Sequence, residues 1–312
     1  MTVVKFMSTG LACLVAALVL GAFGDTTTLV YSTVPAQEGR PAIELKLDLY
    51  RPAAEGTHPC FVYFHGGSWR VGSRGRGKSF AGQLGKLGWT VASVDYRLVD
   101  GGKNPFPAQI VDCKAAIRYL RRNAAKLGID PARICVAGES AGGHLAALAG
   151  VTSGWDVFGK EKPVADPDSA VAAVVDMYGP TDLMAMAEPA IAAVRANLGK
   201  DMPQAREGFE LLGTRDLDSA LKRLEESSPT AYLSGKLPAE KMPRFLILHS
   251  SGDPVVPVSQ SQRFHAALTK AGVKSELKVY EAQGHSLPGT SKADMIRFLT
   301  SVEKAPLTHD RE

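Results

Sequence analysis

A glycine-flanked serine directly after a buried apolar segment constrains this chain more than any other feature of its sequence. The segment 134–137 runs into Gly138–Gly142, which reads G-E-S-A-G, and apolar residues at helical spacing follow. A strand that enters G-x-S-x-G and leaves as a helix forms a nucleophile elbow, a tight turn that exposes the serine hydroxyl at the carboxyl end of a sheet. Only small side chains fit beside that turn. We therefore predict that Ser140 is a nucleophile presented at a sheet edge.

Strand-like and helix-like segments alternate along most of the chain. Most of the strand-like segments are apolar throughout, which is typical of parallel strands covered on both faces by helices. The first one alternates apolar and charged residues and is expected near a sheet edge. These patterns predict an α/β fold with a mostly parallel, doubly wound sheet. The strands are predicted at residues 43–49, 60–64, 89–94, 134–137, 171–177, 245–248 and 277–280, and the helices at 107–127, 145–149 and 259–271.

The length of 312 residues suffices for one large domain, which we place at residues 25–312. One interval within it, from about residue 183 to 241, contains helical patches but no strand pattern. Long structured insertions in compact domains usually have a function, so we interpret this interval as a helical cap over the carboxyl edge of the sheet. The alternative interpretation is a simple surface excursion.

Residues 1–24 have the features of a signal peptide. Lys5 precedes an apolar run at residues 11–23, and Ala22 and Gly24 are the small residues that a signal peptidase reads. The run is shorter than the roughly 20 residues needed to span a bilayer. We expect cleavage near Gly24 and a secreted or periplasmic protein with no stable membrane association. An uncleaved anchor is the alternative, because apolar residues also precede the run.

The charge distribution argues against a nucleic-acid partner. The formal net charge is only +4 and the basic residues are scattered, without the basic stripe that nucleic-acid binding requires. One local cluster comprises Arg70, Arg74, Arg76 and Lys78 in a stretch rich in Gly and Ser. We interpret it as a solvated loop, and a docking surface for acidic groups of a substrate is the alternative. Nothing in the sequence indicates an oligomeric state.

Three cysteines follow the predicted signal peptide: Cys60, Cys113 and Cys135. Cys60 and Cys135 lie in predicted buried strands, where a free thiol packs as a small hydrophobic group. An oxidising compartment permits one disulfide, and Cys113 with Cys135 is a conceivable pair. No cysteine has the spacing of a zinc ligand, and we expect neither a metal nor a cofactor.

Two polar residues near the carboxyl end of the chain are expected to activate Ser140. Asp253 follows the predicted strand 245–248, and His285 follows the predicted strand 277–280. Parallel strands bring their carboxyl ends to one edge, and serine, acid, histidine is the chain order of an elbow-type catalytic triad. We predict that His285 takes the proton of Ser140, while Asp253 orients the imidazole and stabilises its cation.

Other acids and histidines are weaker candidates for these roles. Asp176 and Asp182 follow or belong to a strand that comes too early, and Asp182 suits a helix cap. We expect His249 to anchor the loop that carries Asp253, and His144 to orient the elbow. The other histidines outside the triad lie in polar or exposed settings: His58, His265 and His309.

The loop His65–Trp69, which reads H-G-G-S-W, directly follows the predicted strand 60–64. Glycines here let the backbone approach the substrate, and H-G-G-type loops supply amide donors for the oxyanion of a tetrahedral intermediate. We predict an oxyanion hole formed by the amides of Gly66, Gly67 and Ala141, with His65 bracing the loop. Trp69 either lines the acyl pocket as a substrate-binding residue or packs in the core.

The serine motif, the H-G-G loop and the later acid and histidine together resemble the α/β-hydrolase esterases of the hormone-sensitive-lipase-like kind. The chain looks most similar to the branch named for bifunctional feruloyl and acetyl-xylan esterases, from about residue 42 to 298. The resemblance implies the α/β-hydrolase fold and a triad of Ser140, Asp253 and His285. Other stretches that carry it are 94–97, 106–109, 128–134, 178–182, 228–232 and 253–257.

Two positions depart from the pattern of this family. Ser68 stands in place of the third loop glycine, which would narrow the alcohol side of the pocket, and Ser286 follows His285 where glycine is frequent. Neither departure removes a catalytic group. We therefore expect a secreted serine esterase that works through an acyl-enzyme, with a small-molecule or oligosaccharide ester as substrate. The resemblance suggests acetyl or feruloyl esters of plant polysaccharide fragments, or similar small esters.

Two alternative functions share this scaffold. Serine peptidases of the prolyl-oligopeptidase type usually carry a large propeller domain ahead of the catalytic unit, whereas about 40 residues precede the first predicted strand here. A non-catalytic binding protein commonly lacks the serine or the histidine, and this chain has both. A dehalogenase would require an aspartate in place of Ser140.

Overall fold

Seven of the eight described strands run in one direction, so their carboxyl ends lie at one edge of a single sheet. The structure, a computed structural model, describes residues 24, 26–37, 41–155, 157–158, 168–196, 211–214, 216–234 and 238–303. The strands within these ranges are β1 (Thr26–Val34), β2 (Ile43–Tyr50), β3 (His58–Phe64), β4 (Thr90–Val94), β5 (Ile129–Glu139), β6 (Ala173–Met177), β7 (Arg244–Gly252) and β8 (Ser275–Gln283). Their order in the sheet is β1-β2-β4-β3-β5-β6-β7-β8. β2 pairs antiparallel with both of its neighbours, and the other neighbouring strands are parallel.

Helices cover both faces of this sheet. α2, α4 and α7 pack on one face, and α1 and α8 on the other. The prediction of an α/β fold with a mostly parallel, doubly wound sheet is confirmed. The helices in the described ranges are α1 (Lys78–Gly85), α2 (Ala108–Arg122), α3 (Ala124–Leu127), α4 (Ala141–Val151), α5 (Leu183–Ala196), α6 (Leu217–Ser227), α7 (Ser259–Lys270) and α8 (Ser291–Glu303).

β3 shows why the central strands are apolar throughout. Cys60, Val62 and Phe64 belong to the core on the α4 face, whereas Phe61 and Tyr63 belong to the core on the α1 face. Each of these side chains is at most 1% exposed. Burying a large apolar side chain stabilises a fold by roughly 1.5–3 kcal/mol, so this strand is held firmly from both sides.

The edges of the fold differ from the sequence prediction. β1 is an edge strand that the sequence did not predict, because its polar, β-branched residues lack a strong apolar alternation. The predicted strand 43–49 is β2, which therefore lies one place inside the edge.

The predicted helix 107–127 is divided into α2 and α3 at Asn123. It ends at Gly128, which adopts the left-handed conformation (φ +65°) that favours glycine at a helix end.

The predicted insertion lies between β6 and β7, and its described part includes α5 and α6. A small apolar cluster joins these helices through Leu183, Ala220 and Leu224, and the ring of Trp69 packs against it. Residues 197–210, 215 and 235–237 of the insertion lie outside the described residues. The capping role of the insertion stays a prediction.

The structure answers the question that the three cysteines left open. Cys60, Cys113 and Cys135 are all free and buried. Cys113 packs in the core on one face of the sheet and Cys135 in the core on the other. The sheet therefore separates the two thiols of the conceivable pair.

The predicted signal peptide, residues 1–24, lies outside the described residues except for Gly24. None of the helices in the described ranges is both long enough and apolar enough to cross a membrane.

Candidate active site

At the elbow around Ser140, the end of β5, the start of α4 and the end of β3 approach each other closely. Their backbones leave no room for side chains. β5 ends at Glu139 and α4 begins at Ala141, so Ser140 occupies the turn alone, with φ at +53°. A Cβ at Gly142 would lie 2.0 Å from the carbonyl oxygen of Phe64, and a Cβ at Gly138 would lie 2.2 Å from the carbonyl oxygen of Gly142. The two glycines of the motif are thus required by close backbone approach.

Three side chains from distant parts of the chain form one hydrogen-bonded series at this edge. His285 Nε2 lies 2.8 Å from Ser140 Oγ, and His285 Nδ1 lies 2.6 Å from Asp253 Oδ2. Asp253 directly follows β7, and His285 comes two residues after β8. The structure therefore brings together the three residues that the sequence singled out. An imidazole between a hydroxyl and a carboxylate is the arrangement that activates a serine.

The environment of Asp253 fixes the tautomer of His285. Burial alone would raise the pKa of Asp253, but a hydrogen bond from His285 and two backbone amides outweigh it and hold that pKa below its ordinary value. The amides are those of Val255 and Val256, which donate to Oδ1 at 2.8 and 3.0 Å. Because the carboxylate only accepts, Nδ1 of His285 carries the hydrogen and Nε2 faces Ser140 as an acceptor.

Buried polar contacts hold the loops that carry the acid and the histidine. His249 Nε2 bonds the carbonyl oxygen of Val256 at 2.9 Å, and its Nδ1 bonds Ser261 Oγ at 2.6 Å. The prediction that His249 anchors the Asp253 loop is confirmed. Ser250 Oγ donates to the carbonyl oxygen of Ser286, which ties β7 to the His285 loop.

Tyr178 contacts the triad and was not singled out from the sequence. Its ring packs edge-on against His285, with 4.8 Å between ring centroids. Its hydroxyl donates to Glu139 Oε2 at 2.9 Å. Tyr178 therefore contacts both the imidazole of His285 and Glu139, the residue before Ser140. The stretch 178–182 was quoted for its family resemblance, but sequence spacing alone does not reveal a contact with a ring so far along the chain.

The H-G-G loop lies directly against the elbow. A Cβ at Gly66 would lie 2.9 Å from the carbonyl oxygen of Glu139 and 3.4 Å from Cβ of Ser140. Gly67 has φ of +124°, where only glycine is comfortable. Among the described residues, neither Gly66 nor Gly67 donates its amide to a backbone carbonyl, and Ala141 has no intrahelical acceptor because it is the first residue of α4. These amides suit the predicted oxyanion hole, which stays a prediction.

His65 braces this loop, as expected. Its Nδ1 lies 2.9 Å from the carbonyl oxygen of Gly66, and its ring stacks on Tyr96 with 4.3 Å between centroids. The hydroxyl of Tyr96 in turn donates to the carbonyl oxygen of His65 at 2.7 Å.

Trp69 and His144 form a contact of their own beside the loop. The indole Nε1 of Trp69 donates to His144 Nδ1 at 3.2 Å. His144 Nε2 lies 2.7 Å from the carbonyl oxygen of Ser227, at the end of α6. His144 therefore connects the elbow helix to other segments rather than to the triad. The substrate-binding role of Trp69 stays a prediction.

The competing residues lie elsewhere. Asp182 Oδ1 accepts the amide of Ala185 at 3.0 Å, which confirms it as a helix cap. Asp176 is fully buried and accepts the amide of Gly179 at 2.9 Å. The remaining histidines bond away from the triad: His58 to the carbonyl oxygens of Gly88 and Ala54, and His265 to Ser275; His309 lies outside the described residues.

The basic cluster is not uniformly solvated. Arg74 forms ion pairs with Asp48 and Asp95, so its guanidinium serves the fold. This corrects the solvated-loop interpretation for that residue. Arg76 is half-exposed and pairs with Glu139 at 3.3 Å.

In the described ranges, no group of three or more His, Cys, Asp or Glu side chains could hold a metal ion.

Comparison with known proteins gives a matching family model and an esterase relative. The BD-FAE family model matches residues 47–268. Esterase LipC of Mycobacterium tuberculosis is 33% identical over 241 residues, which are 76% of this chain and 55% of LipC.

Solved structures of esterases superpose on this chain. A structure titled as a truncated carbohydrate esterase from gut microbiota is 28% identical with a TM-score of 0.71, covering 92% of this chain and 99% of its own. Thermogutta terrifontis esterase 2 phosphonylated by sarin is 25% identical with a TM-score of 0.69, covering 91% and 97%. The chain spans about half the length of the curated relatives that it matches first.

Proposed function

The chain belongs to the BD-FAE family of α/β-hydrolases, and from this premise we propose that it is a serine carboxylic ester hydrolase that works through an acyl-enzyme. The observation that carries the proposal is the unbroken series from Ser140 Oγ through His285 to Asp253, at 2.8 and 2.6 Å. A serine hydroxyl is a weak nucleophile until a base takes its proton, and this geometry supplies the base.

The acylation step follows from the site geometry. Ser140 Oγ attacks the acyl carbon while His285 Nε2 takes its proton, and the resulting imidazolium is stabilised by the carboxylate of Asp253. The oxyanion that forms is expected to accept hydrogen bonds from the amides of Gly66, Gly67 and Ala141. Losing one such donor typically raises the barrier by about 3–4 kcal/mol.

Acylation ends when the imidazolium of His285 gives its proton to the leaving alcohol, which departs and leaves Ser140 acylated. Deacylation uses the same base. A water molecule then attacks the acyl group, and His285 acts again as the base. The second tetrahedral intermediate collapses to the free acid and restores the hydroxyl of Ser140.

The substrate class and the location of the enzyme form part of the proposal. A BD-FAE match and a structural neighbour titled as a carbohydrate esterase support acetyl or feruloyl esters of plant polysaccharide fragments, or similar small esters, as substrates. The signal-like sequence of residues 1–24 supports a secreted or periplasmic enzyme.

Hydrolysis of p-nitrophenyl acetate by the native protein and by Ser140→Ala tests the mechanism. We expect a phosphonate-sensitive burst in the native protein and a loss of about 10⁴–10⁶-fold in the variant, as in other triads. Ser301→Ala, on the exposed surface of α8, is the matched control and should keep the native rate. Undiminished hydrolysis by Ser140→Ala would refute the serine mechanism.

A substrate panel then tests the specificity. Acetyl-xylan, methyl ferulate and a proline-peptide anilide are compared at equal enzyme concentration. Preference for the first two supports a polysaccharide esterase, whereas preference for the anilide would indicate a peptidase. No hydrolysis of any ester would indicate a binding protein on a hydrolase scaffold.

A further inference from the structure

His144 is a buried histidine that the proposed chemistry does not use, yet both of its ring nitrogens are engaged. It is 2% exposed and lies on α4, one helical turn after Ser140, whose carbonyl oxygen accepts the His144 amide at 3.0 Å. Its Nδ1 lies 3.2 Å from the indole Nε1 of Trp69, and its Nε2 lies 2.7 Å from the carbonyl oxygen of Ser227. One ring therefore links the elbow helix to two segments that are remote in sequence.

Each of the two partners belongs to a different part of the site. Trp69 follows the oxyanion-loop glycines by two residues, and its φ of +59° turns the chain sharply there. Its ring also packs against the apolar cluster of the insertion. Ser227 is the last residue of α6, which lies within the insertion. His144 thus joins the loop, the elbow helix and the insertion at one point.

The two bonds require one defined state of the ring. An indole N–H can only donate and a carbonyl oxygen can only accept. Nδ1 of His144 must therefore be without hydrogen, and Nε2 must carry it. Burial lowers the pKa of His144 to about 4, so the ring is neutral near pH 7, as this pair of bonds requires.

We propose that His144 is a positioning residue that fixes the indole of Trp69 as a rigid wall of the acyl pocket and joins that wall to the end of α6. The relative rates on short and longer linear acyl chains are expected to depend on this wall, and this expectation rests on the proposed esterase function. A pocket with a fixed wall rejects an added methylene by roughly 10-fold or more, because the wall does not yield. Without its hydrogen bond to His144, the indole of Trp69 is free to rotate, and the pocket then admits longer acyl chains.

Two substitutions separate the two bonds of the ring. In His144→Asn, the amide oxygen occupies the place of Nδ1 and still accepts the indole hydrogen, but nothing reaches Ser227. In His144→Gln, the amide nitrogen reaches the place of Nε2 and donates to Ser227, but the indole loses its acceptor. Trp69→Phe removes the donor of the same bond and keeps an aromatic ring. Trp155→Phe, a tryptophan that packs with Tyr232, is the control for loss of indole volume.

The first measurement is the ratio of kcat/KM for p-nitrophenyl acetate over p-nitrophenyl hexanoate. We expect His144→Asn and Trp155→Phe to keep the native ratio, and His144→Gln and Trp69→Phe each to lower it about 5–20-fold. The double variant of His144→Gln with Trp69→Phe should be no worse than either alone, because both remove one bond. An equal decrease of this ratio in the Asn and Gln variants would overturn the proposal. The volume of the His144 ring, rather than its bond to the indole, would then determine the ratio.

The second measurement does not depend on hydrolysis. The chain has three tryptophans, and Trp69→Phe assigns the indole N–H resonance of Trp69 in a ¹⁵N-labelled Ser140→Ala background. His144→Gln should move that resonance and His144→Asn should leave it near its native place. An unmoved resonance in the Gln variant would refute the bond itself. If the native protein hydrolyses no ester, the function and the proposed selectivity both fail, while this resonance still decides the positioning role.

If neither His144 variant folds, Trp69→Phe decides the outcome with His144 intact. An unchanged acetyl-to-hexanoyl ratio in that folded variant would overturn the role of the wall. A lowered ratio, beside an unchanged one in Trp155→Phe, would support it.

Discussion

Asp176 makes the stability of this protein depend on pH in a direction opposite to that of most carboxyl groups. Its side chain is fully buried beneath the elbow, where Oδ1 accepts the amide of Gly179 at 2.9 Å. Its Oδ2 has no hydrogen-bond partner among the described residues. Burial raises the pKa of Asp176 from 3.8 to about 7, because the charged form loses its hydration and gains only one donor.

The sign and size of the effect follow from these two pKa values. Below pH 3 the carboxyl is protonated in both states and contributes no pH dependence. As the pH rises above 3.8 the unfolded chain releases its proton first, so the stability falls until the folded carboxyl also ionises near pH 7. A shift of about three units corresponds to about 4 kcal/mol, at 1.36 kcal/mol per unit.

Asp176→Asn removes this dependence, since an amide copies the shape of the protonated acid and keeps the acceptor for Gly179. The free energy of unfolding, from urea titrations of the variant minus the native protein, should increase by about 4 kcal/mol between pH 4 and pH 8. With an unfolding entropy of about 2.1 cal/mol/K per residue over roughly 280 residues, this equals about 7 °C in Tm.

Asp253→Asn is a control of opposite sign. Hydrogen bonds lower the pKa of Asp253, so its stabilising contribution is present at neutral pH and is lost as the pH falls through the folded pKa. Asp253→Asn should therefore be less stable than the native protein at pH 7, and the difference should shrink toward pH 3. Parallel stability profiles for Asp176→Asn and the native protein would refute the assignment of a raised pKa to Asp176.

Two further substitutions test the fold around the elbow. Lys114 is fully buried and donates from Nζ to the carbonyl oxygens of Thr152 and Trp155 at 2.7 and 2.8 Å. Lys114→Met should lower the free energy of unfolding by about 2–4 kcal/mol in urea titrations, because it removes these hydrogen bonds from a charged donor. The exposed control Lys126→Met should change it by less than about 0.5 kcal/mol, and an equal effect would contradict this role for Lys114. Gly142→Ala places a methyl group 2.0 Å from the carbonyl oxygen of Phe64, so kcat/KM for p-nitrophenyl acetate should fall about 100-fold; a native rate would show that the elbow relaxes freely.

The sequence predicts well those residues of the site whose positions the backbone restricts to few arrangements. Ser140 is marked by a local rule, since the backbone contacts of Gly138 and Gly142 leave room for no side chain. Asp253 and His285 are marked by topology, because parallel strands must end at one edge. In both cases few arrangements of the chain are possible, so a short motif and a strand order suffice.

The parts that the sequence did not predict depend on tertiary contact. β1 has little apolar periodicity and forms because β2 offers it a free edge. α8 was not assigned, although Phe298 and Leu299 bury its inner face against the sheet. The free thiols of Cys113 and Cys135 are separated by the sheet, which a count of cysteines cannot reveal.

The roles of Tyr178 and His144 illustrate why the surroundings of a triad are harder to predict than the triad itself. A nucleophile, a base and an acid are restricted to a few residue types by their chemistry, whereas an aromatic ring or a buried amide donor can support them from many positions. Tyr178 directly follows β6 and His285 follows β8, and these two strands flank β7 in the sheet. His144 reaches Ser227 because the end of α6 lies against α4. The residue types of Ser140, His285 and Asp253 therefore suffice to predict a reaction, whereas the contacts that support them are defined only by the folded chain.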